Sequence, residues 1–182
     1  MRLVTPPGST ASSRPCLSNQ PLQRAALRPA AERLLRQTDM PKRDDIPWKS
    51  AEVTHEGFPL MLRCPQDLPY HLQEELPTLV VLTHHLDSVT DSGLPSPDYN
   101  ESLAGFDDAA ARLFNSESEG AVVLIETFGG RRSYYAYASP ETDVDAAVDC
   151  LTQRYSGLRL DHSVRSDPDW GFIRGYAAAY GM

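Results

Sequence analysis

The sequence predicts an α+β domain in which one antiparallel sheet carries helices in the order β-α-β-β-α-β. Three observations carry this expectation. Two stretches of helical periodicity alternate with β-branched apolar runs, each helix is preceded by a Ser-Pro-acid triplet, and a Gly-Gly pair divides the central β-prone segment into two strands. The 182 residues are 41% apolar and 23% charged, a balance that excludes wholesale disorder and gives enough material for one core.

Charge divides the chain. Residues 1–40 hold six arginines against Glu32 and Asp39, whereas residues 41–182 hold 11 basic and 23 acidic side chains. The first 40 residues, rich in Pro, Ser and Arg, read as a mostly disordered basic tail. Within them only Pro21 to Gln37 has helical potential, and Pro29 interrupts it. Met40 opens a sensible N-terminus of its own, so a start-site artefact competes with a transit peptide or a basic arm as the reading of the tail. Residues 41–182 form the single α+β domain.

Trp48–Thr54 and Phe58–Arg63 flank Glu56-Gly57 and read as an added N-terminal β-hairpin. Pro65 to Leu76 reads as a loop with one helical turn. Thr78–Leu86 is β-branched and apolar, as an interior strand requires. A helix then opens at Ser96, with Pro97 at its first position and Asp98 complementing the dipole, and Leu103, Phe106, Ala110, Leu113 and Phe114 form its apolar stripe. Ala121–Phe128 and Arg131–Ala138 flank Gly129-Gly130, which supplies the positive φ of a tight hairpin turn. The second helix opens at Ser139-Pro140-Glu141 and carries Val144, Ala147, Val148, Leu151 and Tyr155. Leu158–Val164 is the last strand, and Asp167-Pro168-Asp169 starts a short C-terminal helix through Trp170. The order is that of a ferredoxin-like sandwich, with both helices on one face of the sheet.

Strand parity places a candidate site on the other face. With a two-residue turn, Phe128 pairs with Arg131, Glu126 with Ser133, Leu124 with Tyr135 and Val122 with Tyr137, so these residues share a surface. Val123, Ile125, Tyr134 and Ala136 fall beneath the helices. Glu126, Arg131, Tyr135, Tyr137 and His85, or His84 in its place, then form a polar and aromatic patch. Arginine offers a planar fork to an anion, and tyrosines offer stacking area with a hydroxyl. A plainer reading pairs Glu126 with Arg131 across the strands and packs the N-terminal hairpin over the tyrosines.

Other chemistries find little footing. His84 and His85 point to opposite faces, and His55, His71 and His162 show no ligand spacing, so no metal is expected. Cys16, Cys64 and Cys150 fit neither a disulfide framework nor a nucleophile motif. No cofactor fingerprint is present. Asp107-Asp108 and Asp143 with Asp145 read as solvated helix faces. The acidic domain repels phosphate backbones, so nucleic acid is not expected as a partner. No run of about 18 apolar residues marks a membrane span, and the expectation is a cytoplasmic protein without a membrane partner.

Trp48, Glu56-Gly57-x-Pro59 with Arg63, Pro77, Gly93-Leu94-Pro95, the glycine turn leading to Arg131 and Tyr135, and Asp167-Pro168-x-Trp170 resemble, in that order, the bacterial family known as domain of unknown function 695. The resemblance spans about residues 46–176. It implies no established activity, cofactor or catalytic residue. Some members of that family carry a second domain similar to regulator of ribonuclease activity B, which implies a protein-binding or RNA-metabolism context; the present sequence has no counterpart of it. The expected function is a non-enzymatic interaction module for a protein or a small anionic ligand, with a homodimer across the open face as another partner. The alternative is a small hydrolase with His84 or His85 as base.

Overall fold

The computed structural model describes residues 47–181 apart from 115, 117 and 118. The expected tail over residues 1–40, with its helical stretch 21–37, lies outside the described residues. Six strands form one sheet: β1 (Trp48–His55), β2 (Phe58–Pro65), β3 (Thr78–His85), β4 (Gly120–Phe128), β5 (Arg131–Ala138) and β6 (Arg159–Ser166). Their spatial order is β1-β2-β4-β5-β3-β6, and every neighbouring pair is antiparallel. The helices are α1 (Pro97–Ser102), α2 (Ala104–Ala111), α3 (Val144–Arg154) and α4 (Gly171–Tyr180). The class is therefore α+β, and among the described residues no helix is long and apolar enough to cross a membrane.

Both hairpin turns close with two residues at positive φ, Glu56 (51°) with Gly57 (85°) and Gly129 (55°) with Gly130 (78°). Such turns match the right-handed twist of the flanking strands. The first hairpin does not pack over the tyrosines. It lies in the plane of the sheet, with Met61, Leu62 and Arg63 of β2 paired to Thr127, Glu126 and Ile125 of β4.

The expected β4–β5 register holds at Phe128↔Arg131, Glu126↔Ser133 and Leu124↔Tyr135 but not beyond. A bulge at Val123 shifts the ladder, so that Val122 pairs with Ala136 and Ala121 with Tyr137. Val122 thereby enters the core under α2 and α3, and Val123 moves to the opposite core. The parity argument needed an uninterrupted ladder, and the extra residue reversed it for these two valines.

The helices also depart from expectation in their ends. The first breaks at Leu103 into α1 and α2. Ser96 occupies the N-cap of α1, but its hydroxyl bonds Ser88 Oγ at 2.9 Å rather than a helix N–H. Ser139-Pro140-Glu141 forms a turn instead of a helix start, because Ser139 N donates back to Glu119 O and Ser139 Oγ pairs with Thr142 Oγ1. Asp143 caps α3, its Oδ1 accepting from Ala146 N at 3.0 Å.

Two cores result. Val80, Leu82, Ile125, Tyr134 and Ala136 meet Phe106, Ala110, Val144, Val148 and Leu151 on the face covered by α2 and α3. On the other face Leu60, Leu62, Leu79, Val123, Leu124 and Tyr137 meet Leu72, Leu76, Trp170 and Ile173. The second core is the finding that sequence parity did not anticipate: α4, three turns long where a short helix was expected, covers the face taken to be open.

Candidate functional site

Tyr135 and Tyr137 do point away from α1, α2 and α3, but they do not form a free surface. Tyr137 is fully buried, stacks on Trp170 with centroids 4.2 Å apart, and donates to Asp167 Oδ2 at 2.6 Å. Tyr135 stacks on Phe172 of α4 at 4.6 Å. Glu126 accepts from Tyr135 and, closely, from Tyr176 of α4. Burial first, and then the Glu126 carboxylate, push the Tyr135 phenol up to about 12, so it stays a neutral donor. Arg131 remains exposed at the turn. His85, not His84, shares this face, cross-strand from Arg131, with its Nε2 bonded to Asp161 Oδ2 at 2.6 Å. The five expected site residues thus lie on one face as parity required, with the tyrosines and Glu126 acting as the seat of α4.

Asp167-Pro168-x-Trp170 is the clasp of that seat. Asp167 Oδ1 accepts from Gly171 N and Oδ2 from Phe172 N, while Trp170 Nε1 donates to Leu76 O at 2.8 Å. Burial disfavours the Asp167 carboxylate, yet the Tyr137 hydroxyl, the two helix amides and Arg165 outweigh it and hold the group below its ordinary range.

The concavity lies on the opposite face. Because β1 and β2 extend the sheet beyond β4 while α1 and α2 end above β4 and β5, a cleft is left between the hairpin and the helices. One cavity of about 550 Å³ is lined by Trp48, Arg63, Pro65, Leu72 and Val122 below and by Asn100, Glu101, Ala104, Asp107 and Ala111 above. A second, of about 500 Å³, runs along Ser50, Glu52, Met61, Ile125 and Arg132 toward Leu94 and Pro95. The two share Arg63, Asn100 and Asp107. Trp48, Arg63 and Pro95, three residues that carry the family resemblance, line this cleft.

Its floor is a buried polar network. Arg132 is 7% exposed and donates from Nε to Thr127 Oγ1 at 3.0 Å, from Nη2 to Asn100 Oδ1 at 2.6 Å, and from Nη1 to Asp107 Oδ2. Tyr134 donates to the other oxygen of Asp107. Burial, with the Asp107 charge beside it, raises the Tyr134 phenol well above its ordinary value. Asp107 therefore does not belong to a solvated face; it is the counter-ion of a cation that strand parity turns inward. Asp108 is its exposed neighbour and pairs with Arg112 at 3.0 Å.

His84 lies behind the network. It is fully buried against Phe106, its Nε2 lies 3.3 Å from Tyr99 Oη, and its Nδ1 has no hydrogen-bond partner among the described residues. Burial, and then the Arg132 charge, hold its pKa below the ordinary value, so the neutral ring is favoured. Cys64 is a buried free thiol, and burial pushes it up, which opposes nucleophilic use. Among the described residues no group of three or more His, Cys, Asp or Glu side chains converges as a metal site would require.

Arg132, Asp107, Asn100 and Arg63 were not singled out by sequence reasoning as a site. One signal could have found them. The parity that turns Tyr135 outward turns Thr127 and Arg132 inward, and a cation on a covered face needs an acid from the covering helix.

No curated protein and no solved structure matches the chain. A family model does match, over residues 47–176, a span that takes in all six strands and the start of α4. On that match the chain belongs to the family of unknown function DUF695.

Proposed function

We propose that the domain is a non-enzymatic binding module for a small ligand, and that its site is the cleft between the β1–β2 hairpin and the α1–α2 helices. The observation that carries this reading is the pair of adjoining cavities sharing Arg63, Asn100 and Asp107. Their volumes fall in the range of about 300–1,000 Å³ that small-molecule sites occupy. The lining has the matching chemistry: apolar walls from Trp48, Met61, Leu72 and Val122, and a few polar groups held by a rigid network. The tyrosine face offers less support for a ligand or a second copy, since α4 already covers it. The hydrolase alternative is likewise less supported, because His85 is tied to Asp161 and His84 is enclosed by Tyr99 and Phe106. We further infer that the β3–α–β4–β5–α3–β6 portion is a ferredoxin-like unit; the strand order β4-β5-β3-β6 supports it.

The two tryptophans supply the test. Trp48 lines the cleft and Trp170 is fully buried in the other core, so their indole N–H signals in a ¹H–¹⁵N spectrum report the two faces separately. A fragment set titrated into the full chain is expected to move Trp48 and leave Trp170 in place. Fragments that move only Trp170, or neither, would refute the assignment of the site.

A further inference from the structure

The side chains around the cleft differ in what they have left to offer. Arg132 and Asp107 satisfy each other, and Asp108 is paired with Arg112. Arg63 is different. It projects from β2 on the cleft side, its guanidinium lies 5.9 Å from the centroid of the Trp48 ring, and among the described residues it makes no ion pair or side-chain hydrogen bond. A guanidinium resting on an indole keeps its planar fork of N–H donors available.

Asn100 supplies a second donor. Arg132 has only hydrogens to give, so the amide oxygen of Asn100 must face it and the amide NH₂ must face elsewhere. Because Asn100 lines both cavities beside Arg63, the network presents a fixed N–H group next to a free cation. The surrounding charge limits what can bind. Glu52, Asp67 and Glu101 border the cleft without an ion-pair partner among the described residues, and they repel a doubly charged anion more than a singly charged one.

We propose that the cleft takes a small monocarboxylate with an apolar or aromatic body, its carboxylate held by the Arg63 fork and the Asn100 amide and its body lying along Trp48, Leu72 and Val122. This rests on the cleft being the binding site. Arg132 is a positioning residue here: it orients Asn100 and does not itself need to touch the ligand. Binding draws Arg63 off the Trp48 ring, so the indole responds to the ligand twice, by contact and by loss of the cation.

The test uses the full chain and four probes: 3-phenylpropionate, its primary amide, phenyl phosphate and 3-phenylpropylamine, each titrated while the two indole N–H signals are followed. A probe of this size is expected to bind at about millimolar Kd. The carboxylate should bind at least about tenfold more tightly than the amide, the value of a charge-assisted hydrogen bond. Phenyl phosphate and the amine should bind more weakly than the carboxylate. Arg63→Gln should abolish the preference for acid over amide, and Arg63→Lys, which keeps the charge but loses the fork, should retain part of it. An unmoved Trp170 signal in each variant shows that the domain is folded. Equal binding of acid and amide, a preference that survives Arg63→Gln, or tighter binding of the phosphate would each overturn carboxylate recognition while the cleft remained the site. A Trp48 signal that no probe moves would overturn both.

Discussion

The Arg132–Asp107 pair makes the most decisive single substitution Asp107→Asn. The Arg132 side chain is 9% exposed and that of Asp107 16%, so both charges have left bulk water. Breaking such a pair from one side leaves the remaining charge uncompensated and costs about 3–5 kcal/mol. The lower end applies here, since an asparagine oxygen still accepts one bond and Arg132 keeps Thr127 and Asn100. A loss of about 3 kcal/mol should lower the urea midpoint by roughly 1–2 M without changing the slope of the transition. Arg132→Met is the asymmetric partner. It removes the more deeply buried ion and leaves Asp107, which borders the cleft and still accepts from Tyr134. Its cost should be about 1–2 kcal/mol, and the double variant should cost about the same, so that the second change rescues the first. Equilibrium unfolding in urea of the four proteins measures the cycle. A loss below about 1 kcal/mol for Asp107→Asn, or a double variant as unstable as the sum of the singles, would refute the view that Asp107 is there to neutralise Arg132.

His84 predicts a pH effect of known sign. Its pKa in the fold lies below the ordinary 6.5, so under that pH the unfolded chain takes up a proton that the folded one refuses, and stability falls as pH drops from about 6.5 through the folded value. His84→Gln should lessen the stability difference between pH 7.5 and 5.5 measured by urea unfolding; an undiminished difference would assign it to other groups. Asp167→Ala removes acceptors from Tyr137 and from two amides of α4, a loss of about 2 kcal/mol. Amide exchange should then quicken about tenfold or more in α4 and not in α3, whereas uniform quickening would mean that α4 does not open separately. Gly93→Ala should destabilise by more than Gly57→Ala. Both glycines have positive φ, but a Cβ at Gly93 would meet Gly129 Cα at 3.1 Å while one at Gly57 meets nothing. Thermal midpoints that agree for the two variants would remove the claim that the Gly93 loop is packed against the hairpin turn.

Strand positions were legible because their signals are local. The β-branched, mostly apolar run from Thr78 to Leu86, the Gly129-Gly130 reversal and the Glu56-Gly57 reversal each act within a few residues, and the ladder between Leu124 and Phe128 follows from the turn. The bulge at Val123 was not legible, since nothing in the run of five apolar residues from Ala121 to Ile125 marks which one is extra. Ser96 and Ser139 have equal claims as helix caps in sequence; Asp143 caps α3 because Ser139 is committed to Glu119 and Thr142 in space. Of the expected ligand face, the orientation of Glu126, Arg131, Tyr135 and Tyr137 was readable and its accessibility was not, while the choice of His85 over His84 needed the β3–β5 register. Whether α4 folds back depends on Asp167 meeting Tyr137 and Trp170 meeting Leu76, contacts between residues 30 and 94 positions apart.

The two faces of the sheet differ because the hairpin widens it by two strands and only one face gains a matching cover. On the α4 face, the apolar side of β2, Leu60, Leu62 and Cys64, is closed by Leu72, Leu76, Trp170 and Ile173. On the α1–α2 face, the same strand presents Met61, Arg63 and Pro65, and β1 presents Trp48, Ser50 and Glu52. A half-polar strip of this kind cannot form a dry core, because burying Arg63 or Glu52 unpaired costs more than the neighbouring apolar area returns. It stays accessible, and the network under it is built to survive beside water: Arg132 is neutralised by Asp107, and Asn100 and Thr127 each accept a further N–H from it. A fold that needed only stability would replace that network with apolar residues at little cost. Retaining it beneath an uncovered strip of the sheet that also forms a concavity is what makes the cleft, rather than the tyrosine face, the part of this domain to test for a ligand.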